Sequence, residues 1–340
     1  MSAPEVTAPG SPLLEVDNLV LRYGTKQGEV SAVEDVSFSV QKGQALGLVG
    51  ESGCGKTSVA STLLGLQADN ARVHGEVRLN GIDLLSLSEP EMRQYRWNDI
   101  AMVFQGAMNA WNPVYTVFRQ IEEALHAHTP DRLTRSAARE RVAELFELVG
   151  LPPDMMDRYP HQYSGGMRQR AVIAMALSCD PQLIIADEPT TALDVIVQDR
   201  ILRRIEKIRD DLRMSMIYIS HDIAVIAEVA DHIGVMYAGK LVEYGSTHQV
   251  FARPRHPYSW ALLTSTPSIH GERRTLVPLA GEPPNLLDPP AGCRFHPRCP
   301  FATEQCRTSE PPLQVTPDGQ QVACWNWEQV PEPGSQETVA

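Results

Sequence analysis

The stretch that most constrains this chain is Gly-Glu-Ser-Gly-Cys-Gly-Lys-Thr at positions 50–57. It fits the pattern G-x-x-x-x-G-K-[ST], and its flanks are the ones that pattern needs. "GQALGLVG" before it reads as a buried strand ending in glycines, and "SVASTLLGL" after it reads as an apolar helix. Glycines let backbone N–H groups wrap phosphates, a lysine reaches the β- and γ-phosphates, and a hydroxyl can ligate Mg²⁺. Gly50, Glu51, Ser52, Gly53, Cys54, Gly55, Lys56, Thr57 and the first helical residue Ser58 therefore form a candidate nucleotide cradle, with Lys56 and Thr57 in those two roles. An accidental glycine-rich turn would not carry a strand and a helix on its two sides. Cys54 sits where a small side chain fits, and a redox role for it is the weaker reading.

Strands and helices alternate around this cradle. "LLEVDNLVLRY", "VEDVSFSV" and "GEVRLNG" have the period-two pattern of half-buried strands. From Glu89 to Gly150 the pattern turns helical, "RVAELFELVG" being the clearest amphipathic stretch. "PQLIIAD" and "MSMIYISHD" read as buried strands, "ALDVIVQDRILRRIEKIRDDL" as a long helix, and "HIGVMYAGKLVEYG" as a hairpin around Ala238-Gly239-Lys240. The expectation is an α/β domain with a mainly parallel sheet over 13–252, its helical part at about 89–175. Beyond residue 252 proline becomes frequent and apolar periodicity fades, which predicts a small, nearly helix-free cysteine-rich domain over 253–328. Residues 1–12 and 329–340 read as disordered tails.

A net charge of −12 argues against a broad electrostatic grip on nucleic acid, so any anion site must be local. No apolar run approaches the roughly 18–20 residues that cross a bilayer. The Ala/Pro/Ser-rich stretch Met1–Pro12 has neither a basic start nor an apolar centre and does not read as a signal peptide. The chain is expected to be soluble and cytoplasmic, with its six cysteines reduced or metal-bound.

Phosphoryl transfer also needs carboxylates, and "LIIADEP" supplies a pair at a strand end. Asp187 can hold Mg²⁺ through water, and Glu188 can polarise the attacking water. His221, in "YISHD", follows another strand end, where it can touch the γ-phosphate. Gln105 can sense Mg²⁺ or water, and Tyr23 can stack its flat face on adenine. A further anion binder is left over. Ser164-Gly165-Gly166 opens the helix that begins "MRQRAVIAMAL", and two consecutive glycines permit a strained turn and close approach at a positive dipole end. One chain offers no second phosphate for it. A head-to-tail pair resolves this: each chain's Ser-Gly-Gly turn caps the γ-phosphate lying in the partner's cradle, and hydrolysis separates the two.

The ordered set Tyr23, "GESGCGKT", Gln105, "YSGGMRQR", "LIIADEP", "TALD" and His221 resembles the ATP-binding subunit of an ABC transporter over residues 13 to about 250. The resemblance implies a P-loop NTPase fold of ABC type: a RecA-like core with an antiparallel β subdomain and a helical subdomain. It further implies that Ser164, Gly165 and Gly166 are the signature loop, and that Asp194 ends a loop facing the partner. Glu188 would be the catalytic base, Gln105 the link to membrane subunits, and His221 the switch histidine. Tyr163 and Met167 depart from the common L-S-G-G-Q signature, but the serine and both glycines remain. "RYPHQYSGGMRQR", "HPYSWALL" and the cysteine-bearing tail are similar to the oligopeptide/dipeptide importer branch. That branch pairs two ATPase subunits, usually different, beneath two permeases fed by an extracytoplasmic binding protein, so the chain would meet the membrane only through permeases, at its cytoplasmic face. "RYPHQ" would face the permeases, whereas Gly106 and Trp111 in "FQGAMNAWNP" depart from the branch's usual acidic and aliphatic letters. Nickel or oligosaccharides are alternative cargoes on the same machinery. A soluble ABC ATPase acting on DNA or ribosomes is the alternative from another class, disfavoured by the acidic charge and the single nucleotide head.

Cys293, Cys299, Cys306 and Cys324 are spaced C-x5-C-x6-C-x17-C within the proline-rich tail. Such a segment builds little core, so a metal would help to fix it. The absence of a tight C-x2–4-C pair leans toward a [4Fe–4S] cluster over Zn²⁺, with unliganded thiols or disulfides as the remaining reading. The importer branch offers precedent for a cluster. His296 can replace a ligand, Trp325 and Trp327 are expected to cover the site, and Cys179 reads as a core thiol.

Overall fold

The computed structural model describes residues 11–129, 133–191, 193–265, 279 and 281–333. Most of the two expected disordered tails, 1–10 and 334–340, lies outside the described residues. The chain divides into two compact units, one built from 11–40, 45–85 and 219–333, the other from 41–44 and 86–218.

The first unit opens with β1 (Leu14–Thr25) and β2 (Gly28–Val40), an antiparallel hairpin whose register runs from Leu14 opposite Val40 to Thr25 opposite Gly28. Alternation places Leu14 and Val16 in the core, and an irregularity between Val16 and Leu19 resets the phase so that Leu19 and Leu21 are buried as well. β3 (Ala45–Val49) is buried along its whole length and leads through the cradle into α1 (Lys56–Leu63). β4 (Ala71–Leu79) pairs with β1, and β5 (Ile82–Asp83) with β4, giving an antiparallel sheet ordered β2-β1-β4-β5.

The second unit contains α2 (Glu89–Tyr95), β6 (Ile100–Val103), α3 (Val117–His128), α4 (Arg135–Leu148), α5 (Gly165–Ala176), β7 (Leu183–Asp187), α6 (Val195–Leu212) and β8 (Ser215–Ser220) up to Tyr218. Its helices start where the sequence supplies caps. Thr116, Thr134, Ser164 and Asp194 each accept a backbone N–H in the first turn. β6 and β7 run parallel, Ile100 opposite Leu183, and the five residues of β7 are all buried, as a sheet covered on both faces requires.

The first unit resumes with α7 (Ile223–Val229), β9 (His232–Tyr237) and β10 (Lys240–Ser246). Ala238 and Gly239, both at positive φ, make the two-residue turn of this hairpin. β9 lies parallel to β3, Leu46 opposite His232. α8 (Thr247–Ala252) follows, and the tail beyond residue 252 then adds α9 (Pro257–Ser265), α10 (Glu304–Thr308), β11 (Gln314–Val315) and β12 (Gln321–Val322). It differs from expectation in two ways. It holds more helix than the nearly helix-free segment expected, since α9 spans nine residues and α10 five. It is also not set apart, because β12 pairs with β10 and extends the strand order β11-β12-β10-β9-β3. Among the described residues no helix is long and apolar enough to cross a membrane.

Candidate nucleotide-binding site

The cradle's shape is dictated by two glycines. Gly50 holds φ +152, and a Cβ there would stand 2.1 Å from the Met236 carbonyl oxygen. Gly55 holds φ +106 at the N-cap of α1, where a Cβ would meet the Ala32 carbonyl at 2.4 Å. No other residue type fits either position. Lys56 is buried, and its Nζ donates to the Gly50 and Glu51 carbonyls at 2.7 and 3.0 Å and approaches Cys54 Sγ at 3.4 Å. The ammonium is thus held inside the loop by the loop's own backbone. Thr57 is exposed and Ser58 half-buried at the start of α1, while Ser52 and Gly53 are exposed at the loop's tip. Cys54 is buried, and burial raises its thiol pKa against the opposing pull of Lys56, which disfavours the thiolate that redox chemistry needs. Tyr23 is half-buried near the end of β1. His221 is exposed, one residue before Asp222, which caps α7 by accepting from the Ala224 and Val225 N–H groups.

The second unit carries the carboxylates. Asp187 ends β7 and is 1% exposed. Glu188 follows in the left-handed region, φ +47, an uncommon conformation for a side-chain-bearing residue and one that concentrates at functional sites. Gln105 Nε2 donates to Glu188 Oε2 at 2.8 Å, and Thr191 Oγ1 donates to the same oxygen at 2.9 Å. Gln105 stands two residues beyond β6, so parallel pairing of β6 with β7 brings the amide to the carboxylate. Gly106 next to it takes φ +69, which gives its departure from the acidic letter a backbone reason.

Ser164, Gly165 and Gly166 do open a helix, but not through a strained turn. Ser164 is an extended N-cap whose Oγ accepts from the Met167 N–H at 3.3 Å, and neither glycine has positive φ. Close packing is what demands Gly166, since a Cβ there would stand 2.7 Å from Val197 Cγ1 on α6. The Gly165 and Gly166 N–H groups lie in the first turn of α5, where no intrahelical acceptor exists.

The family model "ABC transporter" matches residues 33–191, and "Oligopeptide/dipeptide transporter, C-terminal region" matches 242–306. The oligopeptide transport ATP-binding protein OppD of Salmonella typhimurium is 42% identical over 95% of this chain and 96% of its own length. The dipeptide transport ATP-binding protein DppD of Escherichia coli is 44% identical over 92% of this chain and 96% of its own. The chain belongs to the ABC transporter ATP-binding family. Within it, the relatives place this ABC ATPase in the branch named for oligopeptide and dipeptide transport. Its fold is that of a solved dimeric ATP-binding cassette, MJ0796, described as a post-hydrolysis state bound to ADP and Pi. TM-score is 0.62 at 25% identity, covering 69% of this chain and 98% of that one.

In this ABC ATPase the four tail cysteines, all free, line one cavity together with His256, Phe295 and Trp325. Burial pushes the Cys293 thiol up, and those of Cys299 and Cys324 up to about 12. The Asn326 N–H donates to Cys324 Sγ at 3.4 Å, and Asn326 Nδ2 lies 3.6 Å from Cys306 Sγ. Four convergent soft donors with N–H groups aimed at two of them suit a thiophilic metal in chemistry. Among the described residues, however, no group of three or more His, Cys, Asp or Glu side chains is placed so that it could hold a metal ion. His296 lines the same cavity, but its Nδ1 is engaged with the Cys293 carbonyl at 3.0 Å. Trp327 does not cover the thiols as expected; it lies under the Arg255 guanidinium, 4.8 Å from ring centroid to Cζ. Cys179 is half-buried just beyond α5, not a fully buried core thiol.

Proposed function

We propose that this chain is the ATP-hydrolysing subunit of an importer that takes up di- and oligopeptides across the cytoplasmic membrane. The observation that carries the reading is the held carboxylate: Glu188, directly after the Asp187-terminated strand, fixed through one oxygen by Gln105 and Thr191. Glu188 takes a proton from water as the water oxygen attacks the γ-phosphorus; the bond to the β–γ bridging oxygen breaks, and ADP and phosphate result. Residues Gly50 to Ser58 hold the phosphates, Tyr23 stacks on adenine, and His221 contacts the γ-phosphate. Thr57, Gln105 and Asp187 (through water) would hold Mg²⁺, which neutralises charge on the phosphates when bound.

The Ser164-Gly165-Gly166 helix start covers the nucleotide in a second ATPase subunit, and ATP-driven closure of that pair drives two permeases supplied by a solute-binding protein. The chain sits at the cytoplasmic face, touching the membrane only through the permeases, "RYPHQ" among its contacts. Nickel or oligosaccharides are the alternative cargoes. Cys293, Cys299, Cys306 and Cys324 would hold a [4Fe–4S] cluster, or Zn²⁺ as the alternative, which would supply a rigid cross-link to a segment poor in core. Residues 13–252 act as the nucleotide-binding domain and 253–328 as its appended cysteine-rich domain.

The shared pocket is tested by placing Lys56→Ala in one subunit and the change equivalent to Gly165→Asp in the other. Under this reading both changes strike one pocket and leave the second pocket intact. Two disabled pockets would refute it. Uptake of labelled di- and oligopeptides by cells lacking the chain tests the cargo.

A further inference from the structure

Arg298 lies in the tail, one residue before Cys299, and 247 positions from Glu51 in the cradle. Its guanidinium nonetheless grips that residue with both arms: Nη1 donates to Glu51 Oε2 at 2.7 Å and Nη2 to Oε1 at 3.0 Å. The Arg298 side chain is only 5% exposed, and Nη1 also reaches Tyr237 Oη at 3.3 Å. The Glu51 backbone is held as firmly as its side chain. Its N–H donates to Tyr258 Oη at 2.8 Å, so that donor is spent on α9, and its carbonyl accepts from Lys56 Nζ. Tyr237, Tyr258 and Phe295 pack as one aromatic cluster, with centroids 4.6 to 5.5 Å apart, behind these contacts. A second tail arginine supports the loop's other flank. Arg294 Nη1 donates to the Ala238 carbonyl, and the next residue, Gly239, donates its N–H to Cys54 O at 2.9 Å.

We propose that Arg298 is a positioning residue for nucleotide binding: the tail's guanidinium fork orients and neutralises Glu51 so that the cradle presents Lys56 correctly to the phosphates. A carboxylate inside a phosphate loop is a liability, because a triphosphate is itself strongly anionic. A bidentate arginine both cancels that charge and fixes both of its oxygens, which a lysine's point charge cannot do. The tail's packing is thereby linked to the nucleotide through one ion pair.

The inference rests on the nucleotide reading above, and one experiment separates the two. Mg·ATP affinity of the full-length chain is measured by calorimetry for wild type, Arg298→Gln, Glu51→Gln and the double variant. Arg298→Gln leaves the Glu51 carboxylate unpaired and is expected to weaken binding about tenfold. Glu51→Gln in that background removes the stranded charge and is expected to restore most of the loss, which a merely structural arginine would not allow. Affinity within about twofold of wild type in Arg298→Gln, or no recovery in the double variant, overturns the proposal. Where Arg298→Gln fails to fold by circular dichroism, Arg298→Lys is read instead: weaker binding rescued by Glu51→Gln supports the proposal, and unchanged affinity overturns it. Absent binding in the wild type would sink the nucleotide reading as well.

Discussion

The Gln105 side-chain amide donates a 2.8 Å hydrogen bond to the Glu188 carboxylate, although 83 residues separate them in sequence. Thr191 Oγ1 donates to that same oxygen, so two side chains fix the orientation of the carboxylate, the geometry that a general base needs.

Glu188→Gln keeps the volume and removes the base. Mg·ATP binding is expected to stay within a few-fold of wild type, while hydrolysis in the assembled transporter falls by about 10²–10⁴. Phosphate release and equilibrium nucleotide binding, measured on the same preparation with the partner's site disabled, check this. Turnover at the normal rate would remove Glu188 from the role of base.

Gly166→Ala places a methyl group 2.7 Å from Val197 Cγ1, between two packed helices. The overpacking is expected to cost about 1–3 kcal/mol. Val197→Ala reopens the space, so the double variant should lose less than the sum of the two singles. Urea midpoints of the four proteins read the coupling, and strict additivity would show that α5 simply shifts away.

Which of these features the sequence discloses depends on how local they are. The cradle is legible because its chemistry is contiguous: three glycines, a lysine and the Thr57 hydroxyl within eight residues, between a strand and a helix. The hairpin at Ala238-Gly239 is legible for the same reason, turn chemistry being short-range. α9 is missed because it opens on Pro257 and buries Pro257, Tyr258, Ser259 and Ala261, leaving no amphipathic stripe to detect. The reason for Gly166 lies on another helix, and the partner of Glu51 lies in the tail. Neither has any local signature. Trp327 is misplaced by proximity: two residues beyond Trp325, it turns to Arg255 and away from the thiols.

The tail's chemistry gives a compositional prediction. Protein purified under anaerobic conditions is expected to carry about four iron atoms per chain and a visible charge-transfer absorbance. Cys306→Ser or Cys324→Ser should abolish both signals. About one zinc per chain with no colour would select the alternative, and neither metal above background would leave the four thiols unliganded.

Acid sensitivity of the tail follows from Asp318. The Thr316 hydroxyl donates to Asp318 Oδ1 at 2.5 Å and Arg255 Nη2 to Oδ2 at 2.6 Å, together holding the carboxyl below its usual value of 3.8. Arg255 is the buried partner, 6% exposed, so neutralising Asp318 strands its cation. The folded chain resists a proton that the unfolded chain accepts, so the pair's stabilisation is present above pH ~4 and is lost as pH falls through the folded value below that. Asp318 is itself partly exposed, which limits the effect at pH 7 to about 1 kcal/mol. Asp318→Asn should lower the urea midpoint at pH 7, and its deficit against wild type should shrink as pH is taken from 5 toward about 3. A deficit that stays constant across that range would mean that packing, not charge, holds Asp318 to Arg255.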